Sequence, residues 1–161
     1  MSDLIPLRRK DKMIGELEEL HRILDEAEVL RMAMIDEGRP YVVPLNFARE
    51  GDDLWIHCAS EGRKLRCLRR DETVCVEVDR FFEIVRGSKD PCAGWTTRYE
   101  SVIGFGAAEI VVDERDKLHG LETIMRRFSG RGDWVFSSDA LAETTVIRVR
   151  LESLTGKRSA M

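Results

Sequence analysis

The sequence predicts a mainly β protein, a small antiparallel β-barrel with flanking helices. Alternating apolar segments that are typical of strands recur over much of the chain, and tight turns join most of them. Gly104 and Gly106 interrupt the longest of these segments, as glycines do at a bulge or a barrel bend. The two long stretches with helical spacing lie towards the margins of the strands.

The predicted strands cover residues 29–35, 41–47, 53–58, 73–79, 99–112 and 144–151, and strand character resumes through 81–85. A first helix is expected from Ile14 to about Glu26, and a second over residues 114–128 with Asp113 as N-cap and Ser129-Gly130 at its end. Residues 86–94 are expected to form a loop, and residues 152–161 a polar tail in which Lys157 and Arg158 are solvated. An alternative for these two cations is a place at the border of a ligand site.

Composition limits the classes of function. The 161 residues, 43% of them hydrophobic, predict one domain over 1–161. A net charge of −4 argues against nucleic acid as a partner. No apolar run is long enough for a membrane span or resembles a signal peptide, so a cytoplasmic protein is expected. The four cysteines, Cys92 among them, form no CxxC pair and no metal-like spacing with the histidines, so no metal site is expected.

Two segments are candidates for ligand binding. In the strand over 41–47, Val43, Leu45 and Phe47 fit the core, which leaves Val42, Pro44 and Asn46 free for a ligand. In the segment DLWIHCASEGRKLRCLRR, a strand and a small-residue turn lead into a helix that begins with Arg63 and Lys64. Such an arrangement can hold a phosphate. The same two cations also fit a solvated helix face, because neither GxGxxG nor a Walker motif is present.

The order of YVVPLNF, LWIHCASEGRKL, WTTRYESVIGFGAAEIV and TGKRS resembles the pyridoxamine 5′-phosphate oxidase-like FMN-binding split-barrel proteins, most of all their nitroimidazole-resistance-related branch. The resemblance covers about residues 29–159. It implies a split antiparallel β-barrel that forms a homodimer with FMN at the subunit interface.

The resemblance also assigns roles to individual residues. Arg63 and Lys64 would bind the FMN phosphate, and His57, Cys58 and Ala59 would run beside the flavin. The resemblance further places Val42, Pro44 and Asn46 along the isoalloxazine ring, and it has Tyr99, Glu100 and Ser101 reach the cofactor of the partner subunit.

The implied function is an FMN-dependent reductase of a small or nitroaromatic compound, with NAD(P)H as a candidate electron donor. The ending LESLTGKRSAM lacks the Trp and Arg that hold substrate phosphate in the true oxidases, so pyridoxamine phosphate oxidation is disfavoured. The alternative is a non-catalytic flavin or haem binding or sensor module. His21, His57 and His119 are the histidines available as an axial haem ligand.

Overall fold

The computed structural model describes residues 9–87 and 94–159, so Cys92 and most of the predicted loop over 86–94 lie outside the described residues. The strands are β1 (Met13–Ile14), β2 (Val29–Asp36), β3 (Arg39–Asn46), β4 (Ala48–Glu50), β5 (Asp53–Ala59), β6 (Thr73–Val85), β7 (Thr96–Ile110) and β8 (Thr144–Arg158). The helices are α1 (Leu17–Glu26), α2 (Arg63–Leu68), α3 (Glu114–Ser129) and α4 (Ser138–Glu143), and a 3-10 turn covers Lys10–Lys12.

The strands form one antiparallel sheet in the order β3-β2-β6-β7-β8-β5-β4, and β1 pairs with β8. The two edge strands of this order, β3 and β4, are consecutive in the chain and are joined by the fully buried Phe47. Within the described residues no hydrogen-bonded ladder connects β3 to β5. The sheet therefore curls back on itself at Phe47 but stays open between β3 and β5, and the prediction of a mainly β antiparallel fold is confirmed.

The core lies inside this curled sheet and follows the alternation of the strands. Val74, Val76 and Val78 point inward from β6, as predicted, and α1 adds Ile23 and Leu24. A smaller second cluster lies on the other side of β5, where α3 covers Trp55. Among the described residues no helix is long and apolar enough to span a membrane.

The glycine pair marks a bulge, as predicted. The register between β7 and β8 shifts between Phe105 and Gly106. A Cβ atom on Gly106 would overlap the carbonyl oxygen of Arg150, and one on Gly104 would lie 2.9 Å from Leu154 Cδ2. Glycine is needed at Gly106 because the backbone of β8 passes too close for a side chain.

Several predicted boundaries are wrong. The predicted solvated tail is strand, since β8 continues to Arg158 between β7 and β1, and Lys157 pairs with both Ser101 and Met13. Ile14, which the helical pattern included, belongs to β1 and packs over Gly156. The pattern also missed α4, whose N-cap is Ser137.

The long helix α3 agrees with its prediction. The Asp113 carboxylate accepts hydrogen bonds from the backbone N–H groups of Arg115 and Asp116, and Gly130 ends the helix in the left-handed conformation with φ of 70°. These two local signals define the helix boundaries because each satisfies backbone groups that the helix itself leaves unpaired.

Candidate functional site

A groove of about 380 Å³ lies at the open seam between β3 and β5. This volume falls within the range of small-molecule sites, roughly 300–1,000 Å³. The residues that line the groove come from β3, β5, α2 and the turn between the last two: Tyr41, Val43, Pro44, Leu45, Cys58, Ala59, Glu61, Gly62, Arg63, Lys64 and Leu65. The structure therefore brings Pro44, Cys58, Ala59, Arg63 and Lys64 together at one site, although they come from two segments of the sequence.

The two faces of β3 divide as the sequence predicts. Val43 and Leu45 are half-buried and pack against the core, whereas Val42, Pro44 and Asn46 are exposed. The Asn46 side chain donates to the carbonyl oxygen of Glu28 at 3.0 Å. Val42 is 59% exposed, which is high for an aliphatic strand residue. The exposed face of β3 thus offers apolar surface next to the groove.

The turn between β5 and α2 depends on Gly62. Its φ of 146° and ψ of 173° define a conformation that is open almost only to glycine. Arg63 and Lys64 follow directly as the first residues of α2, whose buried Leu65, Cys67 and Leu68 hold the helix against the core. Gly62 thus lets the chain turn so that both cations reach the same groove.

The two cations have different surroundings. Arg63 Nε donates to Asp36 Oδ2 at 2.6 Å, and the Arg63 guanidinium lies 4.2 Å from the centre of the Tyr41 ring. Lys64 is half-buried and forms no ion pair within the described part of the chain. Lys64 is therefore the cation of the groove that pairs with no described carboxylate, although Glu61 lines the same groove, and it is the stronger candidate to bind an anion.

Cys58 lies in the groove close to Lys64 but is not an activated nucleophile. Burial raises the pKa of the Cys58 thiol, and the nearby Lys64 lowers it by a smaller amount. The net direction is upward, so the thiol is neutral near pH 7. Cys58 therefore lines the site as a neutral side chain.

Six of the predicted site residues do not line this groove, and two of them, Val42 and Asn46, lie on the exposed face of β3 beside it. The His57 side chain is exposed, on the face of β5 opposite to Cys58. Tyr99, Glu100 and Ser101 lie on β7, and Ser101 is paired with Asp79 of β6. Within a single chain these three residues do not meet the groove.

A larger cavity of about 540 Å³ contains Tyr99 and Glu100. The Glu100 carboxylate is buried and accepts hydrogen bonds from Arg22 at 2.8 Å and from Arg80 at 3.2 Å. Arg158 pairs with Glu19 on the same wall. Because these charges are already matched within the protein, we assign the ligand site to the groove at Lys64.

Asp36 and Tyr41 are site residues that the sequence analysis missed. Asp36 ends β2 and Tyr41 belongs to β3, on either side of the hairpin turn at Glu37 and Gly38. The local sequence around Asp36 predicts a turn but not an ion pair with an Arg that lies 27 residues later in the chain. The signal for the hairpin was present, but the pairing with Arg63 depends on the position of α2.

Comparison with known proteins agrees with this architecture. The sequence profile of the family described as pyridoxamine 5′-phosphate oxidase matches residues 16–158. The chain belongs to the pyridoxamine 5′-phosphate oxidase family. Family membership confirms the split-barrel fold inferred from the segments around Pro44, His57 and Ser101. A search of curated proteins gives no match.

Three solved structures illustrate how this family member compares with others. It is 30% identical to a putative 5-nitroimidazole antibiotic resistance protein from Bacteroides thetaiotaomicron, with a TM-score of 0.81 over 90% of this chain and 85% of that one. A flavocytochrome from Azotobacter vinelandii is 21% identical, with a TM-score of 0.84 and coverage of 97% and 73%. An FAD and heme binding protein from Mycobacterium smegmatis is 24% identical, with a TM-score of 0.83 and coverage of 93% and 74%. The last two similarities concern the fold.

Proposed function

We propose that this family member is an FMN-dependent oxidoreductase that holds the flavin in the groove between β3 and β5. The observation that carries the proposal is Lys64, which has no ion-pair partner among the described residues and lies beside Arg63 at one end of a groove whose other wall is the apolar strand β3. A cationic end and an apolar length match a flavin mononucleotide, whose phosphate is charged and whose ring is flat and mostly apolar. The flavin binding of fold relatives is consistent with this proposal.

The hydrogen-bond donors at the Lys64 end of the groove suit a phosphate group. Lys64 supplies an ammonium group, and the Arg63 guanidinium retains two terminal amino groups beyond its contact with Asp36. Charge-assisted hydrogen bonds from such groups are about twice as strong as neutral ones. The groove contains one basic pair, which suits one phosphate, and FMN is therefore preferred over FAD.

The ring end follows from β3 and β5. Cys58 and Ala59 offer backbone groups along the groove, with His57 next to them in the chain. Pro44 lines the groove, and Val42 and Asn46 lie beside it on the exposed face of β3, where they extend the surface on which a ring can lie. The bound flavin supplies the electron chemistry, while the protein's part is to orient the ring, to set its electrostatic surroundings and to exclude water.

The proposal includes a homodimer. The sheet carries exposed apolar residues, among them Val42 on β3 and Ile103 and Phe105 on β7. A two-fold dimer through these strands would cover them, and two-fold dimers are the commonest assembly. Tyr99 and Ser101, which do not reach their own groove, would then be available to the flavin of a second copy, whereas Glu100 is buried with Arg22 and Arg80.

The substrate class is a small or nitroaromatic compound, with NAD(P)H as the candidate electron donor. Identity of 30% with a putative nitroimidazole resistance protein supports a nitro-bearing substrate. The alternative is a non-catalytic flavin or haem module. Of the three histidines, His119 is hydrogen-bonded to Glu50 at 2.5 Å and His57 is exposed. The Nε2 atom of His21 is buried, lies 3.7 Å from Asp52 Oδ1 and has no hydrogen-bond partner among the described residues, so His21 is the remaining candidate for an axial haem ligand.

A visible spectrum of the purified protein tests the proposal. Flavin absorption is expected, and mass spectrometry of the heat-released chromophore should give FMN. A Soret band would favour the haem alternative, and FAD as the main species would contradict the choice of FMN. Light scattering should give a dimer at micromolar concentration. Reduction of the bound flavin by NAD(P)H, followed by reoxidation with a nitroaromatic acceptor, would separate an enzyme from a passive binder.

A further inference from the structure

The Arg63 side chain is held by a carboxylate that belongs to another part of the sheet. Asp36 is the last residue of β2, and its Oδ2 accepts a hydrogen bond from Arg63 Nε at 2.6 Å. The Asp36 side chain is only 20% exposed, whereas that of Arg63 is 49% exposed. The contact therefore joins a well-anchored acceptor to a mobile type of side chain, and the carboxylate limits where the guanidinium can go.

A second contact holds the same guanidinium from a different side. Arg63 Cζ lies 4.2 Å from the centre of the Tyr41 ring, within the range of a cation–π interaction. Tyr41 is packed against the core and so is a fixed platform. The Nε atom is used by Asp36, and among the described residues neither terminal amino group of Arg63 has a hydrogen-bond partner. The guanidinium is thus held in one orientation with both terminal amino groups still free to donate.

We propose that Asp36 is a positioning residue for phosphate recognition, because it holds Arg63 in an orientation that leaves the terminal amino groups free for an anion next to Lys64. This inference rests on the proposed function, since it takes the groove as the phosphate site. Asp36 itself does not touch the ligand. Because Asp36 already restricts the Arg63 side chain, that side chain loses less conformational entropy when the phosphate binds.

A simple charge argument gives the opposite expectation, which makes the proposal testable. Arg63 holds the pKa of the Asp36 carboxyl below its usual range, so Asp36 is ionised at neutral pH. A carboxylate near a phosphate repels it, and removal of the carboxylate would then strengthen binding. If the carboxylate acts by positioning, its removal weakens binding instead.

The experiment compares Asp36→Ala with Glu37→Ala. Glu37 is the next residue of the same hairpin, and its carboxylate pairs with Arg70 at 3.3 Å, so its removal is the same change of charge without loss of the Arg63 contact. FMN and riboflavin are titrated by quenching of flavin fluorescence at fixed salt. We expect Asp36→Ala to weaken FMN by about 3- to 10-fold, the cost of ordering one long side chain, and to leave riboflavin unchanged. Glu37→Ala should weaken neither flavin.

Two further variants test whether Asp36 acts through Arg63. Asp36→Asn retains an acceptor for Arg63 Nε, so its loss of FMN affinity should be smaller than that of Asp36→Ala. In an Arg63→Ala background, Asp36→Ala should weaken FMN no further. Unchanged riboflavin binding in each variant shows that the groove is still folded.

The outcomes separate this inference from the proposed function. If the wild-type protein binds FMN no more tightly than riboflavin, the phosphate site itself is refuted. If the wild-type protein prefers FMN and Arg63→Ala reduces that preference, but Asp36→Ala leaves FMN binding unchanged or tighter, the role of Asp36 alone is overturned.

Discussion

Lys64 is the residue whose replacement tests the site most directly. Its ammonium group lines the groove without an ion-pair partner among the described residues, so a bound phosphate would be its main electrostatic contact. One charge-assisted hydrogen bond contributes about 1.5–3 kcal/mol. Each 1.4 kcal/mol is roughly a factor of ten in affinity, so Lys64→Ala should weaken FMN by about ten- to 150-fold. Riboflavin lacks the phosphate, and its affinity should hardly change.

Arg66→Ala is the matched control for this prediction. Arg66 lies two residues later on α2, is exposed, and lines a different surface cavity with Ser60 and Arg69. Its removal changes the net charge by the same amount as Lys64→Ala. Because Arg66 is exposed and does not line the groove, its charge would act on a bound phosphate only through solvent, so Arg66→Ala should alter FMN affinity by less than about threefold. Fluorescence quenching at two salt concentrations measures all the affinities.

Two results would refute this reasoning. If Lys64→Ala weakened riboflavin as much as FMN, Lys64 would support the ring or the fold and not the phosphate. If Arg66→Ala weakened FMN as much as Lys64→Ala, the attraction would come from the general charge of α2 and not from a located contact. A thermal melt of each variant identifies any loss of folding.

Three further predictions concern assembly and stability. Phe105→Asp, at a 49% exposed position on the outer face of the sheet, should give monomers by light scattering and weaken FMN, whereas Val112→Asp at a 90% exposed position should do neither. Gly106→Ala should lower the unfolding free energy by more than about 2 kcal/mol in denaturant titration because its Cβ meets the β8 backbone; Gly15→Ala, which has open space, should change it by less than about 0.5 kcal/mol. Arg127→Met should lower the free energy of unfolding by about 1–3 kcal/mol, because Arg127 Nη2 donates to the carbonyl oxygens of Asp25 and Ala27 at the end of α1. Arg126→Met, at an exposed position, is its control. A melting temperature unchanged by Arg127→Met, or a dimer that persists in Phe105→Asp, would contradict the corresponding prediction.

The sequence by itself determined the local features. The alternation in β3 predicted that Val42, Pro44 and Asn46 are exposed, because a strand turns successive side chains to opposite faces whatever the rest of the fold does. Asp113 and Gly130 predicted the ends of α3, because capping involves only neighbouring backbone groups. The sequence also predicted that α2 begins with Arg63 and Lys64 directly after Gly62, because the start of a helix depends on neighbouring residues.

Only the tertiary structure decided which of these features meet. The order of the strands places β3 across the open seam from β5, and this brings Asp36 to Arg63 and leaves Lys64 without an ion-pair partner in the part of the chain that the structure describes. The same order makes a strand of the segment around Lys157, because β7 and β1 lie on either side of it to receive its backbone hydrogen bonds. Such contacts join residues that are far apart in the chain, and neither periodicity nor turn chemistry reports on them, since both describe a residue only through its near neighbours.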